Sequence, residues 1–200
     1  TFEIRYLEEA LALDGVMRED FWDEEDGGYF FTADGSEELP ARMKEIYDGA
    51  IPSGNSAAML NLLRLARFTG KEEYEERAAS IGRAFSRTVS ESPSAFTQFL
   101  SAVEFGTGAA VEVVIAGDPE AEDTRAMVRA VRTGYHPRSV VILRPEGAEA
   151  GEIARIAPFT ESLEASDGAA TAYVCSNGTC SLPTTDLEVM KKQLAGESRD

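Results

Sequence analysis

The segment from Asn55 to Gly70 is the feature that most constrains the fold, because it is apolar on almost all sides. From Ala57 to Phe68 the positions are alanine, methionine, leucine or phenylalanine, interrupted only by Asn61, Arg64 and Arg67. A helix with this pattern has to be surrounded by other elements and cannot lie on a surface. Ser53 or Asn55 can cap its start. The chain therefore predicts a helical assembly that contains an inner helix.

The segments around this helix also have helical periodicity. Residues 2–17 carry apolar side chains at roughly helical spacing, and Glu72–Val89 is amphipathic, with one apolar stripe and charges opposite. Pro93 is expected to open a fourth helix. Inner helices that are apolar all round, alternating with amphipathic outer helices, are what two concentric rings of helices require.

The pattern changes near Gly106-Thr107-Gly108. Residues 109–116 form a β-rich apolar run, and the next strand is expected at Ser139–Leu143. Between them, Asp118 is expected to be the N-cap of a helix with Pro119 at its first position, and Thr124–Tyr135 supplies that helix. A strand–helix–strand unit of this kind favours a parallel pair with a right-handed crossover.

The end of the chain extends this second region. Residues 147–162 are weakly helical, 170–175 form a third strand, and a short helix begins near Asp186 before a polar tail. We therefore expect a mainly α protein with a C-terminal α/β unit. The division is expected to fall between residues 1–106, which are helical, and residues 107–200, a small βαβ-type subdomain.

The charge of the chain is one-sided, with 36 acidic against 19 basic residues and a net charge of −17. Such a surface repels phosphate backbones and anionic lipids, so we expect neither a nucleic-acid nor a membrane partner. It suits cations or neutral polar ligands, although solubility alone also explains it. Two cysteines do not make a secreted disulfide scaffold, so a cytoplasmic location is expected.

The segment from Lys44 to Ser56 is dense in groups that a sugar site needs. Glu45 and Asp48 are candidate general acid and base, provided that burial separates their pKa values. Lys44, Ser53 and Asn55 are candidate substrate-binding residues. Turn and cap chemistry is the alternative, because Asp-Gly makes turns and serine or asparagine caps helices.

A second candidate region lies at residues 21–31. Trp22 and Tyr29 offer aromatic faces for a sugar ring beside the carboxylate of Asp23, so these three are further substrate-binding candidates. A hairpin with its aromatic residues in the core is the alternative. The spacing of Asp23, Glu25, Gly28 and Asp34 partly matches a calcium loop, but glycine stands at the fifth position and the flanking helices do not follow with EF-hand spacing. We expect no metal and no cofactor.

Cys175 and Cys180 form a C-x₄-C pair at the end of a predicted strand. A strand-to-turn position often brings two cysteines within ~6 Å, close enough for a disulfide, so the pair is a candidate redox site. A metal site is disfavoured, because two sulfurs need two more ligands and no cysteine or histidine is nearby. A buried or permanently reduced pair is the alternative.

Three segments resemble one family of large proteins. They are FWD with GGYF at residues 21–30, KEIYDGAIPSGNS at residues 44–56, and AYVC with CSLPT at residues 172–184. The chain resembles the C-terminal part of the spermatogenesis-associated, thioredoxin-domain-containing proteins. The resemblance implies a partial (α/α)6 toroid related to N-acylglucosamine 2-epimerases and six-hairpin glycosidases. It also implies that a thioredoxin-like domain and about half of the toroid are missing here.

The resemblance implies two functions from different classes. One is an epimerase- or glycosidase-like enzyme acting on a polyhydroxylated small molecule. The single histidine, His136, lies in the predicted α/β unit, so the histidines of an epimerase would have to lie in the missing half, and the fragment alone is expected to be inactive. The other is a non-enzymatic scaffold or thiol-redox module working with the thioredoxin-like domain. An open half-ring is also expected to expose apolar surface on the 55–70 helix and to promote self-association.

Overall fold

The computed structural model describes residues 2–35, 41–176 and 178–196. It is about 53% helical and contains a four-stranded sheet, which confirms a mainly α chain with an α/β part. The chain divides into two compact units. The helical unit comprises residues 5–66 and 71–107, and the sheet unit comprises residues 108–200 together with the short ranges 1–4 and 67–70. The predicted helical region, residues 1–106, therefore contributes two short ranges, 1–4 and 67–70, to the sheet unit.

The helical unit is built from four α-helices. They are α1 (Ile4–Phe21), α2 (Gly54–Thr69), α3 (Glu72–Glu91) and α4 (Thr97–Thr107). Each agrees with a helix predicted from periodicity, to within a few residues at the ends. None of the helices in the described part of the chain combines the length and the hydrophobicity that crossing a bilayer requires.

Helix α2 is buried on most of its surface, as its composition predicts. Ala58, Met59, Leu62, Leu63 and Leu65 are each less than 9% exposed. The expected apolar surface on this helix is therefore not found. Among the described residues of the helical unit, the exposed large apolar side chains lie on α1, on the chain between α1 and α2, and on α4: Tyr6, Leu13, Val16, Phe31, Met43, Tyr47, Ile51 and Leu100.

The predicted fourth helix is interrupted. Pro93–Ala95 forms a short 3₁₀ turn, and α4 begins only at Thr97. Phe96 separates the two because its backbone leaves the helical region, with φ −134° and ψ 48°. Proline is compatible with the first turn of a helix, but it does not guarantee that the turn continues.

The sheet unit is a four-stranded mixed sheet in the order β2-β1-β3-β4. Its strands are β1 (Val111–Ala116), β2 (Ser139–Arg144), β3 (Thr171–Ser176) and β4 (Thr179–Cys180). Strands β1 and β2 are parallel, with Val111 opposite Ser139, which confirms the predicted parallel pair. Strand β3 lies antiparallel to β1 on its other side, with Val174 opposite Val113.

Strand β1 is central, and its alternate side chains enter two separate cores. Val113 and Ile115 pack in a cluster with Met127, Met190 and other residues of the helices α5 (Glu122–Thr133) and α7 (Leu187–Leu194). Val114 packs in a second cluster with Ile153 of α6 (Ala148–Ile156). The sheet is therefore covered on both faces.

Two helices of this unit begin in different ways. Asp186 caps α7, because its carboxylate accepts hydrogen bonds from the N–H groups of Glu188 and Val189. The prediction for Asp118 is wrong. Helix α5 begins at Glu122, and Asp118 Oδ1 accepts from the N–H of Glu120 in a turn that precedes the helix.

Candidate functional site

The segment that leads into α2, residues 41–53, carries most of the predicted site residues and is called the motif loop here. From Met43 to Asp48 its side chains alternate between exposed and buried positions. Glu45 and Tyr47 are exposed, whereas Ile46 and Asp48 are only 9% exposed. This alternation is typical of an extended segment with one face on a core. The two candidate catalytic carboxylates therefore have opposite environments.

The carboxylate of Asp48 is occupied by backbone groups. Oδ1 accepts a hydrogen bond from the N–H of Ser53 at 2.9 Å, and Oδ2 accepts one from the N–H of Phe99 at 3.0 Å. The N–H of Asp48 itself donates to the carbonyl of Ala95 at 3.0 Å. Asp48 thus connects the motif loop to the start of α4, where a carboxylate is favoured by the helix dipole.

Ser53 is the N-cap of α2. Its Oγ accepts a hydrogen bond from the N–H of Ser56, three residues later, at 3.1 Å. The hydroxyl also donates to Ser56 Oγ at 2.9 Å, and both residues are buried. The cap that the sequence predicts is therefore confirmed for Ser53.

Asn55 connects the motif loop to the predicted aromatic platform. Its Oδ1 accepts from the N–H of Tyr29 at 2.7 Å, and its Nδ2 donates to the carbonyls of Tyr29 and Glu45, each at 2.9 Å. The side chain is 2% exposed. Gly28 fits closely beside it, since a Cβ there would lie 3.2 Å from Asn55 Oδ1 and the residue has a φ of +83°.

Lys44 and Asp23 form an ion pair at the turn after α1. Lys44 Nζ lies 2.5 Å from Asp23 Oδ2 and donates to the carbonyl of Gly27 at 2.6 Å. Asp23 Oδ1 accepts from the N–H groups of Glu25 and Asp26. Burial alone would raise the pKa of Asp23, but the hydrogen bonds from Lys44 and from these two N–H groups hold that pKa below its usual value.

Trp22 and Tyr29 are brought together by this turn. They form an isolated antiparallel bridge, and their rings meet edge to face with centroids 5.0 Å apart. Tyr29 is 4% exposed, and its hydroxyl accepts a hydrogen bond from Arg77, which also binds Asp14 through both carboxylate oxygens. Burial is the main cause that raises the pKa of Tyr29 to about 12.

The structure therefore places the predicted residues of the two regions in three hydrogen-bonded groups, around Asp48, Asn55 and Lys44, with Glu45 as the exposed member of the candidate catalytic pair. Asp48, Asn55, Lys44, Asp23 and Tyr29 all contact other parts of the helical unit. The exposed ring of Tyr47, at 60%, was not among the predicted site residues. Its position two residues after Glu45 in an extended segment is the signal that would have placed both on one face.

The two cysteines are bonded to each other. Cys175 on β3 and Cys180 on β4 are opposite in the antiparallel register and form a disulfide. Cys180 is exposed and Cys175 is half-buried. The hairpin is extended by the N–H of Ser181, which donates to the carbonyl of Val174 at 2.9 Å. The disulfide thus lies at the outer edge of the sheet.

No metal site is found among the residues that the structure describes, because they contain no cluster of three or more histidine, cysteine or acidic side chains. His136 lies in the turn before β2, where its carbonyl accepts hydrogen bonds from the N–H and Oγ of Ser139. It therefore belongs to the sheet unit, as its sequence position predicts.

Comparison with known proteins gives relatives over nearly the whole chain. The chain is similar to spermatogenesis-associated protein 20. It is 38% identical to the protein of that name from Homo sapiens over 193 residues and 36% identical to that of Mus musculus, covering 96% of this chain in each case. An uncharacterised protein of Caenorhabditis elegans is 28% identical over 190 residues. No protein-family model matches the chain.

The chain spans about a quarter of the length of these relatives, 24% for the human and mouse proteins. This share is consistent with the expectation that the chain corresponds to the C-terminal part of such a protein.

Proposed function

We propose that the chain is a thiol-redox-linked module, in which the Cys175–Cys180 pair exchanges electrons with a dithiol protein. The observation that carries this proposal is the disulfide itself. It is formed across the β3–β4 hairpin, and one of its two residues, Cys180, is exposed. In the cytoplasm, which we propose as its location, structural disulfides are rare and those present are usually transient or catalytic. The natural partner is the thioredoxin-like domain that the family resemblance implies.

The exchange proceeds in two balanced steps. A thiolate of the partner attacks Cys180 Sγ, which breaks the Cys175–Cys180 bond, forms a mixed disulfide and releases Cys175 as a thiolate. The second thiolate of the partner then attacks the partner's first sulfur in the mixed disulfide. This step forms the partner's disulfide and releases Cys180 as a thiolate. Two electrons have passed from the partner, now a disulfide, to the cysteine pair. Attack at Cys180 is favoured because Cys175 is half-buried.

Trapping of the mixed disulfide tests this proposal. The full chain is mixed with a reduced thioredoxin whose resolving cysteine is replaced by serine, and adducts are identified by non-reducing mass spectrometry. We expect an adduct at Cys180 in the unaltered chain. We expect none in Cys175→Ser or Cys180→Ser, because each lacks the disulfide that the thioredoxin thiolate attacks. Equal reactivity at the two cysteines, or no adduct under conditions in which the thioredoxin reduces a small disulfide, would overturn the proposal.

A second candidate function is favoured by the exposed face of the motif loop. We propose that a partial α/α toroid of the carbohydrate-active type presents Glu45 and Tyr47 to a polyhydroxylated small molecule. A carboxylate takes sugar hydroxyls, and an aromatic face packs on the apolar face of a sugar ring. Asp48, Trp22, Asp23, Tyr29, Lys44, Ser53 and Asn55 would then support this face from below through the hydrogen-bonded groups described above. The second catalytic group would have to come from the part of the relatives that this chain does not cover.

A sugar panel on the full-length protein tests this second candidate. Binding measured by calorimetry is expected to be lost in Glu45→Gln and in Tyr47→Ala, whose side chains are exposed and whose replacement should leave the fold unchanged. Glu91→Gln, at the end of α3, is the matched control. Binding that survives both loop substitutions would remove this face from the site. Self-association of the chain stays a prediction, to be checked by sedimentation.

A further inference from the structure

Helix α5 carries a row of arginines, although the chain as a whole is strongly acidic. Arg125, Arg129 and Arg132 are spaced four and three residues apart, so they lie on one side of the helix. They line a groove of about 490 Å³ in the sheet unit. The chain has 36 acidic residues and 19 basic ones, yet the described residues that line this groove include three arginines and no carboxylate.

The remainder of the groove is mainly apolar. Phe2, Pro119, Val128 and Leu143 line it between the arginines. The guanidinium of Arg132 lies 4.7 Å from the centroid of the Phe2 ring, so the planar faces of a cation and an aromatic ring are both present. Small-molecule sites typically have volumes of about 300–1,000 Å³ and combine an apolar lining with a few polar groups. The groove has this size and this composition.

The arginines are available to a ligand. Arg125 pairs with Glu120, and Arg129 Nη2 lies 3.9 Å from Glu122 Oε1, but the two glutamate side chains are 82% and 80% exposed. Surface pairs of this kind contribute little and exchange readily for another anion. Arg132 pairs with no carboxylate in the part of the chain that the structure describes, and its guanidinium there makes a cation–π contact with the Phe2 ring.

We propose that this groove binds a small organic anion. The apolar or aromatic body of the ligand lies against Phe2 and Val128, and a phosphate or carboxylate at its end accepts hydrogen bonds from Arg129 and Arg132. Arginine is suited to this contact because its planar guanidinium binds both kinds of anion through two parallel N–H groups. The proposal is independent of the cysteine pair and of the motif loop.

Phenyl phosphate is the probe that tests the proposal, because it combines a ring with a phosphate. The full chain, labelled with ¹⁵N, is titrated and the backbone amide signals of α5 are followed by NMR. We expect saturable shifts along α5. Inorganic phosphate and phenol each lack one half of the probe, so they should bind at least about tenfold more weakly. Absence of saturable shifts, or equal affinity for inorganic phosphate, would overturn the proposal.

Matched arginine variants separate a site from general attraction to charge. Arg132→Gln and, as a second variant, Arg129→Gln should each weaken phenyl phosphate binding by about tenfold, the usual loss for a charge-assisted hydrogen bond. Arg87→Gln on α3 removes the same charge from a side chain that is 92% exposed in the other unit. It should leave the affinity unchanged. A loss in Arg87→Gln equal to that in Arg132→Gln would contradict a defined site.

Discussion

Asp48 Oδ2 accepts a hydrogen bond from the backbone N–H of Phe99, 51 residues later in the chain. Phe99 is the third residue of α4, so its N–H has no partner inside the helix. Asp48 supplies that partner while its other oxygen binds Ser53 N–H. The aspartate of the motif loop is therefore the residue that joins this loop to the last helix of the helical unit.

Replacement of Asp48 is expected to destabilise the helical unit. Asp48→Ala leaves two buried N–H groups without an acceptor and should lower the free energy of unfolding by about 3 kcal/mol. Asp48→Asn keeps one acceptor oxygen and should cost about half as much. Urea denaturation followed by circular dichroism measures both. Glu45→Gln, three residues earlier and exposed, is the control and should change stability by less than about 0.5 kcal/mol. A cost for Asp48→Ala as small as that of the control would contradict the structural role.

Asn55 is expected to be equally sensitive. Asn55→Ala removes three hydrogen bonds to the backbone of Tyr29 and Glu45 and should cost about 2–4 kcal/mol. Asn61→Ala, at an exposed position of the same helix, is the comparison and should be nearly neutral or slightly stabilising. Thermal unfolding of both variants gives the difference. Similar melting temperatures would show that the Asn55 contacts contribute nothing.

Deprotonation of Tyr29 should lower the free energy of unfolding at alkaline pH. Its pKa is about 12 in the folded chain against 10.0 in the unfolded chain, so the folded state holds the proton more tightly. The associated stability is present below pH 10 and is lost as the pH rises from 10 towards 12, by up to about 2–3 kcal/mol. Urea midpoints at pH 9 and 11.5 measure it. Tyr29→Phe should lose less stability over this range than Tyr135→Phe, which removes a tyrosine that is 89% exposed.

Protonation of Asp123 should lower the free energy of unfolding in acid. The hydrogen bonds that its carboxylate accepts from the N–H groups of Ala170 and Thr124 hold its pKa below the usual 3.8. Its contribution is therefore present above the unfolded pKa and lost as the pH falls through the folded value. Acid unfolding of Asp123→Asn should show a shallower pH dependence below pH 4 than the unaltered chain.

Reduction of the disulfide should have a modest effect on stability. The Cys175–Cys180 loop is short, with a sequence separation of 5, so the chain-entropy model gives a loss of about 2 kcal/mol. Urea denaturation of a Cys175→Ser, Cys180→Ser double variant measures it. A loss well above 4 kcal/mol would indicate a structural staple, whereas a small loss is compatible with the exchange that we propose.

Much of the architecture could be predicted from local patterns. The apolar composition of residues 55–70 predicted a buried helix, and the alternation of strand and helix patterns after Gly108 predicted the parallel β1–β2 pair. Ser53 was predicted as a cap, and the last helix was predicted to begin near Asp186. These features depend on side chains a few residues apart, which is the range over which periodicity and cap chemistry act. The prediction of Asp118 as an N-cap also used only nearby residues, and it was wrong. Helix α5 begins four residues later, at Glu122, with Glu122 and Asp123 in its first turn.

The sequence by itself therefore predicts the kinds of element, their order and the chemical groups available in the motif loop. It does not say which partner each polar group takes. Asp48 binds Phe99, and Asn55 binds Tyr29, across sequence separations of 51 and 26 residues. Such contacts arise when helices pack, because buried polar groups must find partners wherever the packed backbone leaves them. Packing is also the reason that Glu45 faces solvent and Asp48 does not, although the two lie three residues apart.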